Sequence, residues 1–340
     1  MSKPADFLLN ERVGRAGSTR DLAMEHNNQG ALRHLRGDLD GAQAAYEAAL
    51  ELDPRNATAL NNLGYLHAQQ GRLDRAVECY QAALEIDPGR SMALSNLGNA
   101  LAAGGDIESG LTFLRRATEA DPENTLAWDN LGKLLLMTGD LSGAEHAWQN
   151  ALVREPSEAR FYVALGTVVL TAGRVDEAID ILERALELDP DSARAWAQIG
   201  VALFLRHDLG TAVTALKRSL ALEPENTTTR HQLAMVWIAR NERTAATTEL
   251  RRILAIEPEH DAARMDLGVI LLAEGNPEDA LDACDLVLQH DPASERAQFY
   301  RALAMHELGR ADEARSSLEA IVATPGHRYR DEARELLTQR

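Results

Sequence analysis

Eight prolines, Pro54, Pro88, Pro122, Pro156, Pro190, Pro224, Pro258 and Pro292, stand 34 residues apart. Each follows an acidic residue: Asp53, Asp87, Asp121, Glu155, Asp189, Glu223, Glu257 and Asp291. A fixed period of this length confines a chain to a repeat architecture, in which each unit buries its apolar face only against its neighbours. When every repeat opens 31 residues before its proline, the first begins at Ala23 and other positions fall into register. The eighth position reads Gly30, Gly64, Gly98, Gly132, Gly166, Gly200, Ala234, Gly268 and Ala302. The twentieth reads Ala42, Ala76, Gly110, Ala144, Ala178, Ala212, Ala246, Ala280 and Ala314. Small residues at both places predict two helices in close approach, where a larger side chain would wedge them apart. The fifteenth position is glycine at 37, 71, 105, 139, 173, 275 and 309, and Asn241 in the seventh repeat. Such residues supply the left-handed conformation that ends a helix; His207 is the misfit, and nothing in the sequence accounts for it. Two residues after the proline stand Asn56, Asn124, Ser192, Asn226 and Ser294, all capping types. Each repeat is therefore predicted as helix, glycine turn, helix, proline turn.

This pattern resembles the tetratricopeptide repeat family, W-x-x-L-G-x-x-Y…A-x-x-x-F…P. The fourth repeat carries it as Trp128, Leu131, Gly132, Leu135, Ala144, Trp148 and Pro156. The resemblance covers residues 23–326 as nine repeats and implies an all-α, right-handed α-solenoid superhelix whose first helices line a concave groove. The ninth repeat departs slightly, with Pro325 one residue early and Arg301 where leucine is usual. After it, Tyr329, Ala333, Leu336 and Leu337 form one apolar stripe, which predicts a capping helix within residues 327–340. At the other end, Ser18 and Asp21 make a capping-box-like helix start. In residues 1–22, Phe7, Leu8, Leu9 and Val13 predict either a short cap or an arm that folds into the groove.

In related proteins the second, fifth, sixth, ninth, twelfth and thirteenth positions face the groove, and here they define two zones. The first is polar. The sixth position is Asn28, Asn62, Asn96 and Asn130 in four consecutive repeats, then Ala164, Gln198, Gln232, Asp266 and Tyr300. An asparagine amide offers donor and acceptor together, so a row of them can grip the backbone of an extended chain without dictating its sequence. The row is similar to the asparagine ladder of O-linked N-acetylglucosamine transferases and kinesin light chains; a solvated helix face kept through repeat duplication is the alternative. Beside it lie Tyr65, Asn99, Lys133, Arg160 and Arg194, whose positive charges are suited to an acidic segment. Carboxylate-clamp members of the family, which bind chaperone tails, are matched at Asn99, Asn130 and Arg160 but not at Ser95 and Ala164. The second zone is apolar: Leu170, Val201, Phe204, Leu205, Met235, Ile238, Val269, Leu272, Phe299 and Leu303. It is either ordinary packing or a seat for a partner helix, with Met235 and Met265 adding adaptability.

The charge balance narrows the partners. With Lys+Arg 35 against Asp+Glu 53, the net charge of −18 repels phosphate backbones, so no nucleic acid is expected. No run of about 18 apolar residues exists, so no membrane insertion is expected and the chain reads as cytoplasmic. Cys79 and Cys284 are expected as buried, inert thiols. No nucleotide-binding, zinc-protease or hydrolase motif is present: His306–Glu307 is not followed by a second histidine at zinc-site spacing. No cofactor, no metal and no enzymatic activity are expected. The expected function is a non-catalytic scaffold or adaptor that binds an extended or helical segment of another protein. The alternative is a self-assembling protein whose groove or ends bind copies of itself as a homo-oligomer.

Overall fold

The computed structural model describes residues 18–338, which form 19 α-helices and no β-strand. The expected cap or arm in residues 1–22 lies mostly outside the described residues. Two compact units divide at Arg174 and Val175. The first contains α1 (Thr19–Leu35), α2 (Leu39–Leu52), α3 (Ala57–Gln69), α4 (Leu73–Ile86), α5 (Ser91–Ala103), α6 (Ile107–Ala120), α7 (Thr125–Met137), α8 (Leu141–Arg154) and α9 (Ala159–Thr171). The second contains α10 (Val175–Leu188), α11 (Ala193–Leu205), α12 (Leu209–Leu222), α13 (Thr227–Ala239), α14 (Arg243–Ile256), α15 (Asp261–Ala273), α16 (Pro277–His290), α17 (Glu295–Glu307), α18 (Ala311–Ala323) and α19 (Arg330–Thr338). Within each unit consecutive helices pack as hairpins that stack on their neighbours, the arrangement of an α-solenoid.

The small-residue positions are the contact points. Ala42, Ala76, Ala144, Ala178, Ala212 and Ala246 are completely buried. Opposite the glycine of the eighth position stands a large buried side chain, Tyr46, Tyr80, Leu114 or Trp148 in the first unit and Leu216 in the second, whereas Gly268 faces the small Ala283. A Cβ on Gly132 would sit 2.8 Å from the Trp148 ring, and one on Gly200 would sit 2.5 Å from Leu216. Hydrogen in place of a methyl group is thus what admits the large residue, whose burial is worth about 1.5–3 kcal/mol.

The helix ends follow local chemistry. The capping box at α1 is formed, with the Ser18 hydroxyl accepting from the Asp21 amide at 3.1 Å. Asn56, Asn124, Ser192 and Asn226 accept from the helix amides three residues on. Ser294 occupies the same place but makes no side-chain cap bond, and His260, which the sequence pattern does not mark as a cap, caps α15 through Nδ1 at 3.1 Å from the Ala263 amide. His207 proves to be no break in the pattern: its φ is 64°, and Asn241 has 59°. Histidine and asparagine are among the non-glycine residues that tolerate this region best.

A tie that the periodicity does not announce holds the proline turns. The residue at the fourth position of six of these repeats reaches back six residues to the proline carbonyl. Trp128 Nε1 donates to Pro122 at 2.9 Å, Tyr162 Oη to Pro156 at 3.1 Å, Trp196 Nε1 to Pro190 at 2.9 Å and Gln298 Nε2 to Pro292 at 2.7 Å. Arg230 and Arg264 do the same to Pro224 and Pro258. At the end of the second unit Tyr329, Leu336 and Leu337 pack on the cluster of Phe299, Ala302, Leu318, Ile321 and Ala333.

These contacts predict stability changes of both signs. Gly200→Ala should cost about 1–3 kcal/mol by overpacking against Leu216. Gly210→Ala, on α12 with open space around the added methyl, should gain about 0.5–1 kcal/mol. His207→Gly should gain about 1 kcal/mol by relieving the left-handed side chain. Urea unfolding followed by circular dichroism reads all three.

Candidate functional site

The asparagine row lies on the first helices of the first unit, and three of its four amides are tied to the repeat before them. Asn62 Nδ2 donates to Asn27 Oδ1, Asn96 Nδ2 to Asn61 Oδ1 and Asn130 Nδ2 to Ser95 Oγ, each at 3.0 Å. Each bond spans 35 residues, from the sixth position of one repeat to the fifth of the preceding one. An amide carries two N–H donors and a carbonyl oxygen. One donor is spent on stacking, which leaves Oδ1 and the second N–H. Asn62 is only 3% exposed, so its amide serves to fasten α3 to α1. Asn96 and Asn130 are half-buried and keep a face toward solvent. Asn28 is half-buried, and Asn27 Nδ2 lies 3.4 Å from its Oδ1. Tyr65 is half-buried with its ring 5.7 Å from that of His34, and Asn99 is exposed.

Asp129, at the fifth position of the fourth repeat, does not stand out in the sequence. Its carboxylate is 5% exposed and takes Lys133 Nζ at 2.8 Å, Arg160 Nη1 at 3.0 Å and Trp148 Nε1 at 2.9 Å. It therefore joins α7, α8 and α9. Where the sixth position of the fifth repeat becomes Ala164 and offers no donor, Arg160 reaches the same acceptor from the second position. Arg160 also stacks 4.3 Å over the Phe161 ring. Two of the three cations expected to receive an acidic ligand are thus already shared with one internal acid, and their side chains remain 62% and 49% exposed for Lys133 and Arg160. The signal is present in the sequence as pairs 35 residues apart, 27 with 62, 61 with 96 and 95 with 130, but only the sixth position carries one residue type throughout and so draws attention.

The second unit repeats the device with charge. His231 Nε2 lies 2.7 Å from Asp266 Oδ2 and Arg296 Nη2 lies 2.7 Å from Asp266 Oδ1. Burial would raise the Asp266 carboxyl, but hydrogen bonds from His231 and Arg296 outweigh it and hold it below its ordinary range. Arg194 is exposed and makes no ion pair among the described residues.

The apolar positions separate into core and surface. Leu170 and Phe299 are each 7% exposed and belong to the packing, and Met265, at 4%, is buried too and unavailable as an adaptable surface group. Phe299 is further covered by Tyr329, stacked at 4.6 Å. Val201, Phe204, Ile238, Val269, Leu272 and Leu303 are half-buried, while Leu205 is 51% and Met235 37% exposed. The apolar surface of this zone is therefore concentrated on α11 and α13. Cys284 is buried and its thiol is pushed up to about 12 by desolvation; half-buried Cys79 is shifted the same way. Among the described residues no three metal-ligating side chains converge, and no helix is long and apolar enough to cross a membrane.

The burial pattern ranks substitutions. Asp129→Ala should cost about 1–3 kcal/mol, because the Trp148 indole N–H loses its hydrogen-bond acceptor in a buried place. Lys133→Ala, at the exposed end of the same cluster, should cost less than about 1 kcal/mol. Asp266, lowered in the folded state, contributes stability that is present above its ordinary carboxyl range and is lost as pH falls through the lowered value. Asp266→Asn should therefore destabilise at pH 7, and its difference from the parent in urea midpoint should shrink below about pH 4.

A tetratricopeptide model described as the C-terminal domain of cilia and flagella-associated protein 70 matches residues 53–267, more than half of the chain. Two further tetratricopeptide repeat models match residues 30–71 and residues 244–298 and 271–339. Among curated proteins none matches this sequence significantly. Among solved structures, the APC/C hetero-tetramer Cut9-Hcn1 is similar at TM-score 0.61 and 16% identity, over 84% of this chain and 55% of that one. This chain thus spans about half the length of that match. PilW, a type IV pilus biogenesis factor, is similar at TM-score 0.57 and 22% identity, over 61% of this chain and 96% of that one. A tetratricopeptide repeat protein from Parabacteroides merdae is similar at TM-score 0.57 and 18% identity, over 73% and 98%. At these identities the structural likeness speaks for the fold alone. Repeat register, helix geometry and family-model matches together make the chain a member of the tetratricopeptide repeat family.

Proposed function

We propose that this chain is a non-catalytic, cytoplasmic scaffold or adaptor that binds an extended segment of another protein along the first helices of its first unit. Tetratricopeptide folds mediate protein–protein interaction. The observation that carries the reading is the set of amides bonded backward at a constant 35-residue step. Because each amide is fixed by its stacking bond, its remaining acceptor and donor are oriented before a ligand arrives, and little side-chain entropy is lost on binding. Asn96 and Asn130 supply this grip, Asn99 adds an exposed amide beside them, and Lys133 and Arg160 set a local positive field. Asn28 and Asn62 hold the row in register.

A substitution in the row removes a stacking bond as well as a grip, so the test needs a control for stacking. Ser95→Ala removes the partner of Asn130 but leaves the Asn130 amide in place. Wild type, Asn96→Ala with Asn130→Ala, and Ser95→Ala serve as baits in cell extract, with captured proteins identified by mass spectrometry. A partner lost from the asparagine variant and retained by Ser95→Ala is the expected result. Equal loss from both baits, or no loss from either, overturns the grip.

A second reading, self-assembly, draws on Leu22, Leu32 and Leu35 of α1, exposed to 48%, 47% and 49%. It requires a mass by light scattering that rises with concentration and falls back in Leu22→Gln with Leu32→Gln.

A further inference from the structure

Three arginines occupy the second position of their repeats: Arg160, Arg194 and Arg296. Two of them show what a guanidinium at this place takes. Arg160 holds Asp129 at 3.0 Å and Arg296 holds Asp266 at 2.7 Å, in each case an acid from the first helix of the preceding repeat. Arg194 is exposed and is the one member of the three without an internal acid among the described residues.

The rest of α11 gives that cation a context. Arg194, Gln198, Val201 and Leu205 lie at i, i+4, i+7 and i+11, one face of the helix. At 1.5 Å per residue, the arginine and the leucine are about 16 Å apart along the axis. Leu205 is 51% exposed, and Met235 on α13 is 37% exposed. Half-buried Val201, Phe204 and Ile238 flank them. The face therefore offers an unneutralised cation at one end and an apolar surface at the other.

We propose that the α11–α13 face binds a segment of a partner protein that places one Asp or Glu side chain on Arg194 and one bulky apolar side chain on Leu205 and Met235. This goes beyond the binding surface proposed on the first unit and adds a second one on the first helices of the second unit. An extended chain advances about 3.3 Å per residue, so the acid and the apolar residue stand about five residues apart. A single acid fits better than an acidic tract. Charges beyond about 8 Å are screened at physiological salt, so Arg194 attracts the carboxylate next to it and does little for acids farther along the segment.

The probe is a phage-displayed random dodecapeptide library selected on the full chain, with the enriched peptides resynthesised and titrated by fluorescence anisotropy. Enriched peptides should share an acidic residue about five residues from a Leu, Ile, Met or Phe. Arg194→Glu should weaken them about tenfold or more, as expected for reversing a charge that meets a carboxylate. Changing the peptide's Glu to Gln should weaken binding to wild type but not to Arg194→Glu. Leu205→Ser should weaken the same peptides. Because Arg194 and Leu205 are exposed, both variants should keep the parent's circular dichroism. Peptides that bind Arg194→Glu as tightly as wild type, or Gln forms that equal Glu forms, overturn the proposal. If such peptides instead lose affinity in Asn130→Ala, the reading of the first helices stands and only the role of Arg194 falls. A library without any binder to wild type overturns both.

Discussion

The contact on which everything else depends is the close approach of two helices at the eighth and twentieth positions of the hairpins within each unit. Glycine at the eighth place lets Tyr46, Tyr80 or Trp148 lie flat across the partner helix, where an added methyl would come within 3 Å of the ring. Alanine at the twentieth place fills the remaining space completely. This pairing closes the hairpin. It also sets the direction in which the first helix presents its outer face, and so decides which residues are left to meet a ligand. Other hairpins meet the same constraint with a smaller partner, Leu114 against Gly98 and Leu216 against Gly200.

The outer face is not a passive display of polar groups. Stacking demands that neighbouring first helices be tied together, and the ties come from the residues that face outward. In the first unit the tie is neutral, amide to amide or hydroxyl, until Asp129 turns it into an ion pair with Arg160 and Lys133. In the second unit Asp266 is the shared acceptor, in an ion pair with Arg296 and in hydrogen-bond contact with His231. A group committed in this way is oriented in advance and partly spent at once. Asn62 and Asp129 lie on the spent side, buried and engaged. Asn99 and Arg194 lie on the other, exposed and without a partner among the described residues. Which of these groups fasten the repeats and which stay accessible is therefore set residue by residue, through burial.

The hairpins were legible because their cause is periodic. A 34-residue recurrence of glycine, alanine and proline records helix contact, helix end and turn together, and even His207 keeps the left-handed turn that its neighbours suggest. The candidate site was legible only as a register. Asn28, Asn62, Asn96 and Asn130 stand out as one residue type in one position, whereas the groups that accept from them are Asn27, Asn61 and Ser95, a mixed set that no single-column reading isolates. Asp129 is hidden for the same reason, because its meaning lies in Trp148, Lys133 and Arg160 and not in its own column. Periodicity also places Leu170, Phe299 and Met265 beside Leu205 and Met235 as equals. Only the depth of packing, and the stacking of Tyr329 on Phe299, separates core from surface.

The central claim is that a ligand lies on the first helices of the first unit and not on the second helices behind them. Site-specific photo-crosslinking in living cells addresses it whatever the partner is. Benzoylphenylalanine is placed at Asn99 on α5 and, in a separate variant, at Glu119 on α6, both exposed positions. A discrete crosslinked adduct from position 99 and none from position 119 is the expected result. An adduct from position 119 with none from position 99 would contradict it.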